Sequence, residues 1–249
     1  MTPGVTGILP MEGRAPHHGR VGEAHGRYLL KADPYSSHSL MLRWLGEGNG
    51  RAVLDVGAAD GLLSRHLRAR GWRVTAIEAD PGLARAGAVH CDRMLVADLN
   101  RETPPLHRLF DAIVFGDVLE HLTEPSRVLA EMGRALAPGG RVVISIPNVA
   151  HLWMRLSLLA GRFEYAERGI LDRTHLRFFT ARTLTAMVTA AGLAIVRRSV
   201  TPVPLHHVVT PRWHGACLDA VHAASAVAAR ALPRLLGYQF VVLAERAKP

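Results

Sequence analysis

Along most of the chain, short apolar runs alternate with segments whose apolar positions recur every three or four residues. The runs at 52–56, 72–77, 94–96, 112–115 and 141–146 are too short for helices and read as buried strands. Helix faces fall around them. One carries Leu40, Met41, Trp44 and Leu45, a second Leu62, Leu63, His66 and Leu67, and a third, after Pro125, carries Val128, Leu129, Met132 and Leu136. The punctuation agrees with this reading. Gly46 to Gly50 ends the first helix, Gly71 closes the second, and Asp80-Pro81 supplies a capping carboxylate and a first-turn proline for another. Pro138-Gly139-Gly140 is read as the stop of the helix after Pro125.

Further on, 151–160 reads as helical and 161–179 as loop. Thr180 caps a helix bearing Leu184, Met187, Val188 and Ala191, which Gly192 closes. A sixth strand is expected at 193–200 and a last one at 238–244, reached through an Ala-rich helical excursion. Strands that alternate with helices predict an α/β fold, doubly wound, with a mostly parallel sheet and helices on both faces. Residues 1–26, rich in Gly, Pro and His and without periodicity, read as a mobile tail. The domain is expected over 27–249, with a lid or insert at about 148–179 and the excursion at about 205–236.

Composition changes this picture little. The 249 residues carry a formal charge of +9, which raises nucleic acid as a partner. Of the 30 basic residues 28 are arginine, spread along the chain with no run of five like charges. A nucleic-acid footprint is a clustered patch or stripe, so the charge reads as background and nucleic acid is disfavoured. Cys91 and Cys217 match no disulfide or zinc spacing, and no metal ligand set is assigned. The first twenty residues hold no apolar leader, and the apolar stretch at 216–237 is broken by Asp219, His222, Arg230, Pro233 and Arg234. No membrane span is expected, and a reducing, cytoplasmic compartment fits.

The most informative segment is Asp55-Val56-Gly57-Ala58-Ala59-Asp60-Gly61, directly after the first strand. Small residues there let the backbone approach a ligand closely, at the end of a parallel sheet where ligands sit. Gly57 and Gly61 lie four apart, so the Gly-x-Gly-x-x-Gly dinucleotide fingerprint is not met and a nicotinamide oxidoreductase is disfavoured. The segment resembles the Asp-x-Gly-x-Gly-x-Gly turn of class I S-adenosylmethionine-dependent methyltransferases, with Ala59 at the middle glycine.

Other landmarks of that family fall in order. Glu78, followed by Ala79, closes the second strand, where the family places an acid on the ribose hydroxyls. Asp98, with Leu99, matches the acid on the adenine amino group. The run from Phe110 to Leu122, which includes Asp117, looks like the fourth-strand motif, and Leu136-Ala137-Pro138-Gly139-Gly140 looks like the approach to strand five. The lead-in Lys31-Ala32-Asp33-Pro34-Tyr35-Ser36-Ser37-His38 and the motif from Asp172 to Thr180 are similar to those of bacterial small-molecule methyltransferases. The resemblance implies a seven-stranded Rossmann-like sheet with an antiparallel last strand, S-adenosyl-L-methionine as cofactor, and Asp55, Gly57, Ala58, Ala59, Gly61, Glu78, Ala79, Asp98, Leu99 and Asp117 around it.

Methylation of an oxygen needs its proton removed, a task suited to a histidine near neutral pKa. His121, after the fourth strand, and His175, in the insert, are the candidates by position. The other histidines, among them His17, His18, His206 and His207, read as solvent-facing. After strand four, Gly116-Asp117-Val118-Leu119 lacks the Asn/Asp-Pro-Pro-aromatic pattern of nucleobase amine methylation, and neither cysteine is placed for pyrimidine chemistry. A small-molecule acceptor is therefore expected, with oxygen the atom implied by the family. The rivals are a catalytically silent cofactor-binding module and a nucleic-acid methyltransferase. Trp153, Met154, Leu156, Leu158, Leu159, Phe163 and Tyr165 are expected to wall an acceptor pocket or to form the core of a helical lid. The arginines and histidines of 205–236 are expected to face an acidic acceptor, an anionic membrane surface or solvent.

Overall fold

The computed structural model describes residues 33–247; the tail expected at 1–26 and the Lys31-Ala32 start of the lead-in lie outside the described residues. Seven strands are found among them: β1 (Ala52–Val56), β2 (Arg73–Glu78), β3 (Arg93–Val96), β4 (Phe110–Gly116), β5 (Leu136–Pro147), β6 (Leu193–Thr201) and β7 (Gln239–Arg246). They form one sheet in the order β3-β2-β1-β4-β5-β7-β6. The first five run parallel, and β7 is antiparallel to both β5 and β6. The expected doubly wound sheet with an antiparallel last strand is present. That strand is not the edge, because it inserts between β5 and β6.

Successive side chains of a strand point to opposite faces, and the two faces bury different helices. Val53, Val114, Val143 and Val241 pack with α1 (Ser37–Leu45) and α2 (Leu62–Ala69). Their neighbours Leu54, Ile113, Ile144 and Val242 pack on the other side with α4 (Pro125–Gly133) and α6 (Ala181–Ala190). The predicted caps are in place. Asp80 accepts from the Leu83 N–H to start α3 (Pro81–Gly87), and Thr180 and Thr183 exchange bonds at the start of α6.

One helix expectation is overturned. Leu136 has the right spacing from Met132 for α4, but α4 ends at Gly133 and Leu136 begins β5, opposite Phe110. The Phe110 N–H donates to the Ala135 carbonyl at 2.8 Å, which draws the chain into the sheet before another helical turn forms. Pro138-Gly139-Gly140 is therefore a bulge within β5, where the pairing resumes at Ala112 with Arg141.

After β5 come α5 (Leu152–Leu159) and an irregular stretch to Thr180. Between β6 and β7 lie α7 (Leu205–Val208), α8 (Ala216–Ala231) and α9 (Pro233–Leu236). Asn148, fully buried, ties the two regions: its amide donates to the Gly237 carbonyl at 2.8 Å and its Oδ1 accepts from the Ala150 N–H at 3.0 Å. No helix of the described residues is long and apolar enough to cross a membrane.

Candidate active site

The turn after β1 is built from left-handed backbone. Gly57 (φ +70°), Ala59 (φ +48°) and Gly61 (φ +79°) all lie in the region that costs an ordinary side chain strain. Gly61 has a second reason to lack a side chain. A Cβ there would lie 2.9 Å from both Cα and O of Gly87, where α2 starts against the end of α3. Sequence reading singled out Gly61 but not its partner, because the contact joins two helices. Gly57 and Ala58 donate to the Ile77 carbonyl at 2.8 and 3.0 Å, and Ala59 donates to Glu78 Oε2 at 2.8 Å. Glu78 Oε1 accepts from the Asp80 N–H at 2.9 Å. Glu78 thus braces the turn from the end of β2, and each oxygen keeps a further lone pair for a ligand.

Asp55 lies beneath the turn rather than in it. It is 2% exposed and accepts from the Ser64 hydroxyl at 2.7 Å, which fixes β1 to α2. Burial pushes its pKa up to about 6, against the pull of the Ser64 hydrogen bonds. Ala58 and Leu99 are buried, Ala79 is exposed, and Asp98 is half-buried at the end of β3. One oxygen of Asp98 accepts from the Asn100 N–H at 2.9 Å and the other lies 3.4 Å from Arg101 Nε. Asp117 also adopts left-handed backbone, at φ +56°. Its Oδ1 accepts from the Ser145 hydroxyl and its Oδ2 from the Gln239 amide, both at 2.7 Å. Sequence reading missed Ser145 and Gln239, since nothing local brings β5 and β7 to the end of β4.

The two candidate histidines are brought together. Their rings meet edge to face with centroids 4.8 Å apart. His121 Nδ1 lies 3.2 Å from the Thr174 carbonyl, and His175 Nδ1 lies 3.0 Å from the Ile170 carbonyl. A carbonyl only accepts, so each Nδ1 carries a proton, and in the neutral ring Nε2 keeps the lone pair. His121 is half-buried; burial and the neighbouring His175 hold its pKa below the usual range. His175 is 7% exposed. The insert is anchored here because Leu176 and Arg177 both donate to the Glu120 carbonyl, at 2.8 and 3.0 Å.

Glu120 was not singled out by sequence reading. Its side chain is 1% exposed, and neither carboxylate oxygen has a hydrogen-bond partner. Burial, with the charge of Asp117 adding to it, pushes its pKa well above the usual carboxylate range. Its Oε1 lies 4.0 Å from His175 Nε2. One ligating atom from each of Glu120, His121 and His175 lies within 4.8 Å of the others.

Two expectations about the surroundings are corrected. Of the seven apolar side chains expected to wall a pocket or form a lid core only Met154 is buried; Trp153 is 69% and Leu159 85% exposed, and Leu156, Leu158, Phe163 and Tyr165 are also exposed. Those six form neither the core of a lid nor an enclosed pocket wall, because α5 docks through Met154 on Ile170 and Leu171 and leaves its other sides open. The histidines outside the candidate pair are not uniformly solvent-facing either. His151 and His222 are buried, and half-buried His206 bonds Asp219 at 2.8 Å. His222 Nε2 lies 3.2 Å from Asp33, and the Arg230 guanidinium lies 5.5 Å from the Tyr35 ring centre, so α8 leans on the segment before α1. A small cavity of about 90 Å³, lined by Leu45, Arg51, Trp72 and Asp111 among others, opens at the opposite, amino-terminal end of the strands.

The strand order and the left-handed turn under an acid at the end of β2 define the class I methyltransferase architecture. A family profile described as a methyltransferase domain matches residues 29–198, and the chain belongs to that family. Among curated proteins it is similar to the ubiquinone biosynthesis O-methyltransferase of Xylella fastidiosa (strain 9a5c), 33% identical over 156 residues that cover 58% of this chain and 61% of the relative. The protein of that name from Aeromonas salmonicida is 31% identical over 160 residues, covering 59% and 64%. The match thus spans a little over three fifths of these relatives' length. Among solved structures, the magnesium protoporphyrin IX methyltransferase of Synechocystis, with bound SAH, superposes with a TM-score of 0.57 at 16% identity, covering 85% of this chain and 82% of that one. The [4+2]-cyclase SpnF gives 0.56 at 20%, covering 85% and 81%. At these identities the likeness is one of fold, and the second shows that the fold also carries a protein named for another reaction.

Proposed function

We propose that the chain binds S-adenosylmethionine on the turn from Gly57 to Gly61, with Asp55 bracing it from beneath, and methylates a hydroxyl oxygen of a small organic molecule. The observation that carries this reading is the convergence, at the carboxyl ends of β1, β2 and β4, of the left-handed turn, the Glu78 carboxylate and the group Glu120, His121 and His175. The cofactor fits the residues present. A Cβ at Gly57 would run into Val118 and one at Gly61 into Gly87, so the glycines let the turn close tightly, and the free lone pairs of Glu78 match the two hydroxyls of a ribose. Asp98 offers an acceptor to the adenine amino group, with Ala58, Ala79 and Leu99 alongside. Asp117, held on both oxygens, borders the same floor.

When bound, the cofactor supplies a methyl group already activated on a sulfonium, and the protein's part is positioning and proton handling. The Nε2 lone pairs of His121 and His175 are the proton-handling groups, with His121 the more open of the two. The insert at 148–179 and the excursion at 205–236 belong to one domain spanning 27–249 and supply the acceptor side. The hold of Leu176 and Arg177 on Glu120, and of Asn148 on Gly237, supports this arrangement. The name of the curated relatives supports oxygen as the atom and a small molecule as the acceptor. The cytoplasm is the compartment proposed; free Cys91 and Cys217 agree with it.

The test is incubation of purified protein with methyl-labelled S-adenosylmethionine and a panel of small hydroxylated acceptors, read by mass spectrometry. A labelled product formed one-for-one with S-adenosylhomocysteine is expected. Calorimetric binding without turnover on any acceptor would favour the silent module. A gel shift with a steep salt slope would favour the nucleic-acid reading. No binding of S-adenosylhomocysteine would overturn the proposal outright.

A further inference from the structure

We propose that Glu120, His121 and His175 form a binding site for a first-row transition-metal dication of the Zn²⁺ type. The first observation is the orphaned carboxylate. Glu120 follows β4 in a short 3-10 turn from Leu119 to His121, is almost completely buried, and neither of its oxygens meets a donor. Buried carboxylates in folded proteins are paired, hydrogen-bonded or bound to a metal. Among the described residues its ion-pair partner is His175, whose Nε2 at 4.0 Å is too far for a hydrogen bond.

The second observation is the tautomer of the two imidazoles. A metal-ligating histidine characteristically donates its remote N–H to a carbonyl or carboxylate, which orients the ring and leaves the other nitrogen's lone pair for the ion. Both rings here do this, His121 to Thr174 and His175 to Ile170. The lone pairs left over belong to the Nε2 atoms; His175 Nε2 lies 4.0 Å from Glu120 Oε1, and one nitrogen of each ring and a Glu120 oxygen lie within 4.8 Å of one another. Around an ion bound at roughly 2.0–2.1 Å, tetrahedral ligands stand about 3.4 Å apart, so side-chain rotations of less than about 1.5 Å close the set. Thr174 and Ile170 belong to the insert and Glu120 to the turn after β4, so the site exists only where those segments dock. For that reason it has no sequence spacing.

Donor chemistry selects the ion. Two imidazoles and one carboxylate suit Zn²⁺, Fe²⁺ or Co²⁺; Mg²⁺ and Ca²⁺ prefer all-oxygen sets. Three protein ligands leave a position open, the pattern of catalytic rather than structural zinc. The role of that position rests on the function proposed above. A dication there holds an acceptor hydroxyl and eases loss of its proton to solvent water, which takes over the proton handling otherwise given to the imidazoles. In the transfer that follows, the oxygen pair forms the O–CH₃ bond as the S–CH₃ pair returns to sulfur.

The test uses the full chain without a histidine tag, stripped by chelator and titrated with Zn²⁺ by calorimetry. Co²⁺ absorption provides a geometric readout. About one Zn²⁺ per chain is expected, with affinity at least 100-fold above that for Mg²⁺ and intense visible bands for Co²⁺. Glu120→Gln and His175→Ala should each lower Zn²⁺ affinity at least 100-fold. S-adenosylhomocysteine binding, measured in parallel, reports that the variants remain folded, and the half-buried His121→Ala is a second variant should either buried one fail. Zn²⁺ affinity unchanged in all three variants, equal affinity for Mg²⁺, or Zn²⁺ lost instead in His206→Ala would overturn the site. Methylation that persists in a stripped protein unable to bind Zn²⁺ sinks this inference alone. Zn²⁺ binding with no methylated product sinks the functional reading and leaves the metal site standing.

Discussion

Replacing Asp55 by Asn is expected to stabilise the protein at neutral pH, and to do so less and less as the pH falls. The carboxyl is buried with the Ser64 hydroxyl as its side-chain partner, and burial raises its pKa from 3.8 to about 6. The folded chain therefore holds the Asp55 proton more tightly than the unfolded chain does. The stability this confers is fully present below about pH 3.8 and is lost as the pH rises through 6. Above that the ionised carboxylate stays in place at a cost of about 3 kcal/mol, the displacement multiplied by about 1.36 kcal/mol per unit. Asn keeps an acceptor for Ser64 and has no ionised form, so the variant-minus-wild-type difference cancels every other titrating group that the substitution leaves alone. That difference should move in favour of the variant by about 2 kcal/mol between pH 4.5 and 7. Paired urea titrations at the two pH values measure it. A difference that stays flat, or that moves the other way, refutes the claim that burial governs this carboxyl.

Four further outcomes are expected. Gly61→Ala should destabilise by about 2 kcal/mol in urea titrations and weaken S-adenosylhomocysteine binding, because the left-handed backbone and the Gly87 contact both oppose a Cβ. Glu78→Ala should lower S-adenosylhomocysteine affinity by about 10- to 100-fold in calorimetry, since it removes the proposed ribose acceptor and the brace on Ala59 and Asp80; unchanged affinity contradicts the assignment. Asn148→Ala should cost about 2 kcal/mol in thermal or urea unfolding, as it leaves the buried Gly237 carbonyl without its donor. Trp153→Ser should change stability by less than about 0.5 kcal/mol, because that ring packs into no core; a large loss would mean the insert is packed differently.

The elements and the turn proposed to hold the cofactor were legible in the sequence because they are local. Strand and helix periods are set by the backbone of a single segment, and the caps at Asp80 and Thr180 act within one turn. The turn from Asp55 to Gly61 and the acid at Glu78 could be read for the same reason: each sits at the end of its own strand. Leu136 shows the limit of local periodicity. Its spacing fits the helix before it, but Phe110, on another strand, decides that it joins the sheet. The insert shows the limit of apolar composition, since Trp153 and Leu159 have nothing opposite them to bury against. The sequence by itself therefore determined the doubly wound fold and where along the chain the left-handed turn and the acid at the end of β2 lie. Only the tertiary structure decided that β7 enters between β5 and β6, that Gln239 and Ser145 hold Asp117, and that His175 meets His121 over a carboxylate without a partner. Burial and pairing of polar groups depend on which distant segments dock together, and no period along the chain encodes that.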